Sequence, residues 1–196
     1  MVMVDCEGHL RAGVAVQLLL VAVVTVGYVG GVVRLGVVAM TALVFPVTVA
    51  GALFPDLDHH ASLPYRYGRW VLPPLFGALV VVVGVRYWDA IVVALGGGQQ
   101  PGPAGFLGGV LVASFGWGTC IVGYAAFPVL RPPHRTITHR VSTGVVVAVC
   151  VGGVVGLVIG GRGLSTTGDQ LAVVWASGAF LVGFLSHLAM DGSFSE

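Results

Sequence analysis

The stretch Phe54-Pro55-Asp56-Leu57-Asp58-His59-His60 closes an apolar run that begins at Leu35, and the two together decide the fold. From Leu35 to Phe54 no side chain is charged, over about the 20 residues a helix needs to cross a hydrocarbon core of about 30 Å. The segment that follows packs two carboxylates and two imidazoles into five residues, in a chain with only eight acidic residues and six histidines. Hard oxygen ligands beside borderline imidazoles are what a divalent ion such as zinc or manganese accepts. The first expectation is a membrane helix that delivers a ligand-rich segment to a membrane surface.

Composition supports the membrane reading. The 196 residues are 57% hydrophobic, with a mean hydropathy of +0.98 and only 9% charged side chains. A soluble domain carries about 25% charged residues. The net charge of +1 supplies no basic stripe for nucleic acid. All nine basic residues are arginine. Cys6, Cys120 and Cys150 show no metal-knuckle spacing, and Cys120 and Cys150 sit in apolar runs, where a free thiol packs as a small hydrophobe. The opening MVMVDCEGHLRAG lacks the basic, apolar, small-residue order of a cleavable signal, so the first span is expected to stay in the membrane.

Measured with the same ruler, the chain reads as one all-α integral membrane domain over 1–196, a bundle of about six transmembrane helices. The spans run from Gly13 to Val33, Leu35 to Phe54, near Trp70 to the Arg86-Tyr87-Trp88-Asp89 cluster, Ala104 to Phe127, Val141 to Ile159 and Leu171 to Met190. Residues 90–97 either extend the third helix or lie along the surface. Gly96-Gly97-Gly98-Gln99-Gln100-Pro101-Gly102-Pro103 then breaks the chain. Abundant Val, Ile and Thr would favour strands in water. In lipid, uninterrupted apolar runs of this length mean helices, because each backbone amide needs an internal partner. Glycines spaced by four, as in Gly152, Gly156 and Gly160 or Gly105 and Gly109, allow helix backbones to approach closely.

Six alternating spans give the molecule two sides, and every histidine falls on the side of the N-terminus. That side gathers His9, the Asp56 to His60 segment, His134-Arg135-Thr136-Ile137-Thr138-His139, and His187-Leu188-Ala189-Met190-Asp191. His187 and Asp191, four apart, share a helix face and can clamp one ion. Arg135 can bind an anionic oxygen or pair with a ligand carboxylate, and Thr136 and Thr138 can orient imidazoles. His60 is set aside because neighbouring His59 has the better spacing. The expected metal ligands are His9, Asp56, Asp58, His59, His134, His139, His187 and Asp191. Taken singly, each has a bland alternative: a solvated interfacial carboxylate, an interfacial histidine or a structural hydrogen-bonded pair.

With these residues in view, the chain resembles the YdjM-like family of membrane-bound metal-dependent hydrolases. The resemblance rests on Gly8-His9, on Pro55 to His59 as Pro-Asp-hydrophobic-Asp-His, and on His134 to His139 as His-Arg-x-x-Thr-His. It also rests on Ser186 to Asp191 as Ser-His-x-x-x-Asp, preceded by Gly183-Phe184-Leu185 where the family often has Gly-Tyr-Leu. The chain departs from the pattern at Thr136, usually Gly, and at Arg140, usually Ser. It also departs after Asp191, where Gly192 follows in place of Thr-Pro.

The resemblance implies metal-dependent hydrolysis at the membrane surface, with zinc as the expected ion (manganese or iron as alternatives) and one or two ions per site. The ligand candidates exceed the three protein groups plus water of a catalytic zinc. Either two ions share the site, or some of the residues support the others or act as a general base. Asp58, His139 and Arg135 are the candidate catalytic groups. Paired ions suit phosphoester cleavage, and Arg66, Arg69, Arg135 and Arg140 on the same face can hold a phosphate. Tyr65, Tyr67 and Trp70 would lie at headgroup depth. Membrane lipid and an amphiphilic phosphoester are the expected partners. Arg11, Arg66, Arg69, Arg131, Arg135 and Arg140 against Arg34, Arg86 and Arg162 place the histidine side in the cytoplasm of a cell membrane, by the positive-inside rule. The rival classes are a transporter or metal-handling protein, and a scaffold with a purely structural ion. A transporter predicts ionisable groups on discontinuous helices at mid-membrane, whereas the spans read as apolar there.

Overall fold

The computed structural model describes residues 6–59, 62–96, 102–129, 137–159 and 167–192. These form an all-α integral membrane bundle: α1 (Cys6–Val29), α2 (Leu35–Leu43), α3 (Phe45–Leu53), a 3-10 turn (Pro55–Asp58), α4 (Leu63–Arg86), α5 (Trp88–Ala94), α6 (Pro103–Val129), α7 (Val141–Ile159) and α8 (Thr167–Asp191). Among the described residues, six segments are long and apolar enough to cross a membrane, with α2 and α3 together making the second.

Several boundaries differ from the sequence expectation for identifiable reasons. The first helix already includes Cys6, the first described residue, so His9 is inside it rather than ahead of it. The third span starts at Leu63 rather than near Trp70. Ser62 caps it by accepting a hydrogen bond from the Tyr65 amide at 3.2 Å, and Pro64 sits in the first turn, where its missing N–H costs nothing. Residues 88–94 form a separate short helix after a break at Tyr87, so the described part of the 90–97 stretch does not continue α4 as one helix, and residue 97 lies outside the described residues.

The second span is not one rod. Val44 leaves helical geometry (φ −81°, ψ 4°) between α2 and α3, two residues before Pro46. A proline within a helix lacks the amide for the i−4 bond, and its ring crowds that carbonyl. Pro74 has the same effect in α4, and there the Trp70 carbonyl accepts instead from the Tyr124 hydroxyl of α6 at 3.1 Å.

α8 is the hub, packing against α1, α3 and α7, while α4 pairs mainly with α6. Its buried residues, Ala176, Ala179, Phe180, Gly183, Phe184, His187, Leu188 and Asp191, recur every three to four positions as a single stripe. Lipid tails are as apolar as leucine, so close packing rather than transfer from water drives such helices together. Glycine makes that packing possible. A Cβ built on Gly183 would lie 1.9 Å from the Thr48 carbonyl oxygen, and one on Gly51 would lie 2.1 Å from that of Phe180, so α3 and α8 cross backbone to backbone. On α7 the buried small residues are Gly144, Ala148 and Gly152, and the first accommodates the Phe184 ring. The functional consequence is positional: the stripe that locks α8 into the core ends in His187 and Asp191.

Candidate metal centre

Four chain segments meet at one end of the bundle, each for a local reason. On α1 the buried stripe is His9, Gly13 and Gln17, spaced by four, so His9 faces inward because the residues after it do. The 3-10 turn follows α3 directly and carries Asp56 and Asp58. It is pinned by the Ser62 hydroxyl donating to the Asp56 carbonyl at 2.6 Å and by the His59 amide donating to the same carbonyl at 3.2 Å. Thr138 and His139 lie just before α7 and are both buried, while His187 and Asp191 finish the α8 stripe.

Asp191 stands among three imidazoles. Its Oδ1 is 3.4 Å from His9 Nε2, and its Oδ2 is 3.4 Å from His139 Nε2 and 3.5 Å from His187 Nε2. His187 Nε2 is also 3.9 Å from Asp56 Oδ1. N–H···O hydrogen bonds run at about 2.7–3.2 Å, so these separations are too long for direct bonding. They are close to the ligand–ligand edge of a tetrahedron around zinc, about 3.4 Å when metal–ligand bonds are about 2.0–2.2 Å. Two trios have their ligand atoms within 4.8 Å of one another: His9, Asp56 and His187, and His139, His187 and Asp191.

The ring nitrogens are prepared for ligation. His187 Nδ1 is 2.8 Å from the Ala52 carbonyl. A carbonyl only accepts, so Nδ1 carries the proton and Nε2 presents its lone pair. That Nε2 is fully buried and has no hydrogen-bond partner among the described residues; the same holds for His9 Nδ1. Leaving such an atom unpaired in a protein interior costs about 1–3 kcal/mol; an ion would relieve this at His187 Nε2, whereas the nitrogen that His9 turns to Asp191 is Nε2 rather than Nδ1. His139 is held from behind: Thr138 Oγ1 lies 3.2 Å from its Nδ1 and donates to Asp58 Oδ2, which is itself 3.8 Å from Nδ1. This is the carboxylate-to-imidazole support that orients metal-binding histidines.

Comparison with protein-family models, with curated proteins and with solved structures gives no match. His9, Asp56, His139, His187 and Asp191 converge. Asp58 stands behind His139. His59 is half-buried at the end of the 3-10 turn and belongs to neither trio. His134, Arg135 and Thr136 lie outside the described residues, as do Arg131 and Arg162. Of the remaining arginines on this side, Arg66 and Arg140 are exposed, and Arg69 lies 5.0 Å over the Trp70 ring. Tyr67 and Trp70 are exposed at this end of α4, whereas Tyr65 is buried against Phe127.

Sequence reasoning missed the polar cluster deeper in the bundle. Gln17, about midway along α1, donates to the Thr41 carbonyl and accepts from the Thr48 hydroxyl at 2.7 Å. Trp175 Nε1 donates to the Thr41 hydroxyl at 2.8 Å. The cluster spans the break at Val44, where the helical ladder is interrupted. A lone Gln in an apolar span was its only sequence signal.

Proposed function

We propose that this protein is a membrane-bound metal-dependent hydrolase of the YdjM-like kind, acting on a phosphoester or lipid-like substrate at the surface of a cell membrane. The supporting observation is the set of three buried imidazoles, buried Asp191 and half-buried Asp56, whose nitrogen–oxygen separations, 3.4–3.9 Å, suit bound metal better than direct hydrogen bonds. The ligand set, nitrogen with carboxylate oxygen and no thiolate, favours zinc, with manganese or iron as substitutes.

A divalent ion held there would supply a nucleophile at neutral pH and would stabilise charge on a phosphoryl oxygen. The protein's part is to hold His187 in one tautomer through Ala52 and to hold His139 through Thr138 and Asp58. Arg66 and Arg140, exposed on the same face, bind the substrate phosphate, and Arg135 is the third candidate for that role. Tyr67 and Trp70 seat this face among headgroups. The arginine bias favours the cytoplasmic side for this face.

The test is hydrolysis of phosphoester lipids by the detergent-purified protein, with and without added zinc or manganese, beside Asp56→Asn. Metal-dependent release of product that the variant loses supports the proposal. Bound metal without turnover of any phosphoester points to a structural or metal-handling role. That second reading gains support from the broken second span and its Gln17–Thr41–Thr48 cluster, since discontinuous helices with mid-membrane polar groups are a transporter feature. Ion uptake into proteoliposomes separates the two.

A further inference from the structure

We infer that the centre holds two ions rather than one, with Asp191 bridging them, His9 and Asp56 completing one subsite, and His139 and His187 completing the other. The inference rests on the metal reading above and sharpens it.

The decisive geometry is that of the rings. An imidazole ligates through a lone pair lying in its own ring plane. His9 and His187 are stacked, with centroids 3.7 Å apart and planes only 17° from parallel. Planes so disposed do not meet within a metal–nitrogen bond length of both rings, so one ion cannot lie in both. An ion in each plane is accommodated, and the ring spacing falls within the separation of about 3.5–4 Å found in two-metal sites. His139 differs, standing at 68° to His187 with centroids 5.3 Å apart. Its plane cuts that of His187, and the two lone pairs can converge on one ion.

The carboxylates divide the same way. Asp191 turns Oδ1 to His9 and Oδ2 to His139 and His187. A carboxylate whose two oxygens face different imidazole sets is placed to bridge. One trio is His9, Asp56 and His187 and the other is His139, His187 and Asp191; with His187 given to the second by its ring plane, Asp56 stays with His9, and Asp191 Oδ1, 3.4 Å from His9 Nε2, takes the third place. Each subsite then has three protein ligands, the number a catalytic zinc keeps while leaving one position open. His187 lies within range of both trios but offers one lone pair, because Nδ1 is committed to Ala52. Its plane assigns that lone pair to the His139 subsite. Asp58, which faces His139 Nδ1 through Thr138, is left as a support.

The experiment is manganese loading of the full-length, detergent-purified chain, followed by metal counting by mass spectrometry and by electron paramagnetic resonance. Two manganese ions per chain with an exchange-coupled spectrum are expected. His9→Gln and His139→Gln should each retain one ion and lose the coupling. One ion per chain at saturating manganese, with an uncoupled spectrum, overturns the pair and leaves the single-metal reading standing. No bound ion overturns both. Loss of both ions from His9→Gln, with an unchanged melting temperature, overturns the division of ligands. The wild-type spectrum decides the matter even if a variant fails to fold.

Discussion

Replacing Gly183 with alanine tests whether the centre depends on helix contact made away from it. The added Cβ would sit 1.9 Å from the Thr48 carbonyl oxygen, 2.9 Å from its carbon and 3.0 Å from the Ala52 amide nitrogen. All three are backbone atoms, so no side chain can swing aside, and α3 and α8 must part by about 1 Å. Overpacking of this kind costs about 1–3 kcal/mol, against a gain of about 0.5–1 kcal/mol for alanine over glycine within a helix. The net expectation is a loss of about 1–2 kcal/mol. The displacement also reaches the site, because His187 follows Gly183 by one turn and its 2.8 Å tether is the carbonyl of Ala52, one turn beyond Thr48. Parting the helices by 1 Å breaks that bond and frees the ring. Gly178→Ala is the control: it lies on the same helix, and its Cβ would meet nothing within 4 Å. Melting in one detergent should rank Gly178→Ala at or above wild type and Gly183→Ala below it. Only Gly183→Ala should lose metal. Wild-type stability and metal content in Gly183→Ala would refute the backbone crossing and the claim that it positions His187.

Three further outcomes follow from the same contacts. Thr138→Val removes the hydroxyl between Asp58 and His139 and should weaken metal binding about 10–100-fold in a chelator competition, with Thr138→Ser close to wild type. Gln17→Leu takes the amide from the Thr41 carbonyl and leaves the Thr48 hydroxyl only its long 3.4 Å bond to the Val44 carbonyl, and should cost about 1–2 kcal/mol in a melt while leaving metal stoichiometry unchanged. Stripping the metal with a chelator should lower stability by about 2.7 kcal/mol per bound ion relative to a sample held at 100 times the dissociation constant, and readdition should restore it.

The bundle was legible because uncharged runs such as Leu35 to Phe54 admit few structures in lipid. The common face was legible because alternation of spans is arithmetic. The convergence of His9, Asp56, His139, His187 and Asp191 follows from that alternation together with helix phase, and His187 with Asp191 already showed a shared face at i and i+4. What could not be read was the division of labour. Asp56 and Asp58 look equivalent in sequence, yet one faces His187 and the other faces His139 beside Thr138, a contact made across 80 positions. The break at Val44 was hidden because Pro46 sits in an otherwise apolar run. Gln17 was unreadable for a related reason: Thr41, Thr48 and Trp175 come to it from two other spans, and nothing local to Gln17 points to them.

The same residues explain why the helices have a defined rotation at all. The face α1 turns outward, with Leu18, Leu19, Val23 and Val26 all exposed, is as apolar as lipid, so burial of apolar surface cannot choose which face turns inward. Its stripe of His9, Gly13 and Gln17 can. Rotating α1 by one residue, about 100°, would carry Gln17 away from Thr41 and Thr48, the Gly13 notch away from Ala52, and His9 away from Asp191 at once. The mid-membrane amide and the face imidazole therefore report on one variable, the phase of the helix. A substitution at Gln17 that leaves the ligands untouched still loosens that phase, and the close approach at Gly13 limits how far it can drift. Specificity of packing and geometry of the candidate metal centre are in this way set by one set of side chains spaced four apart.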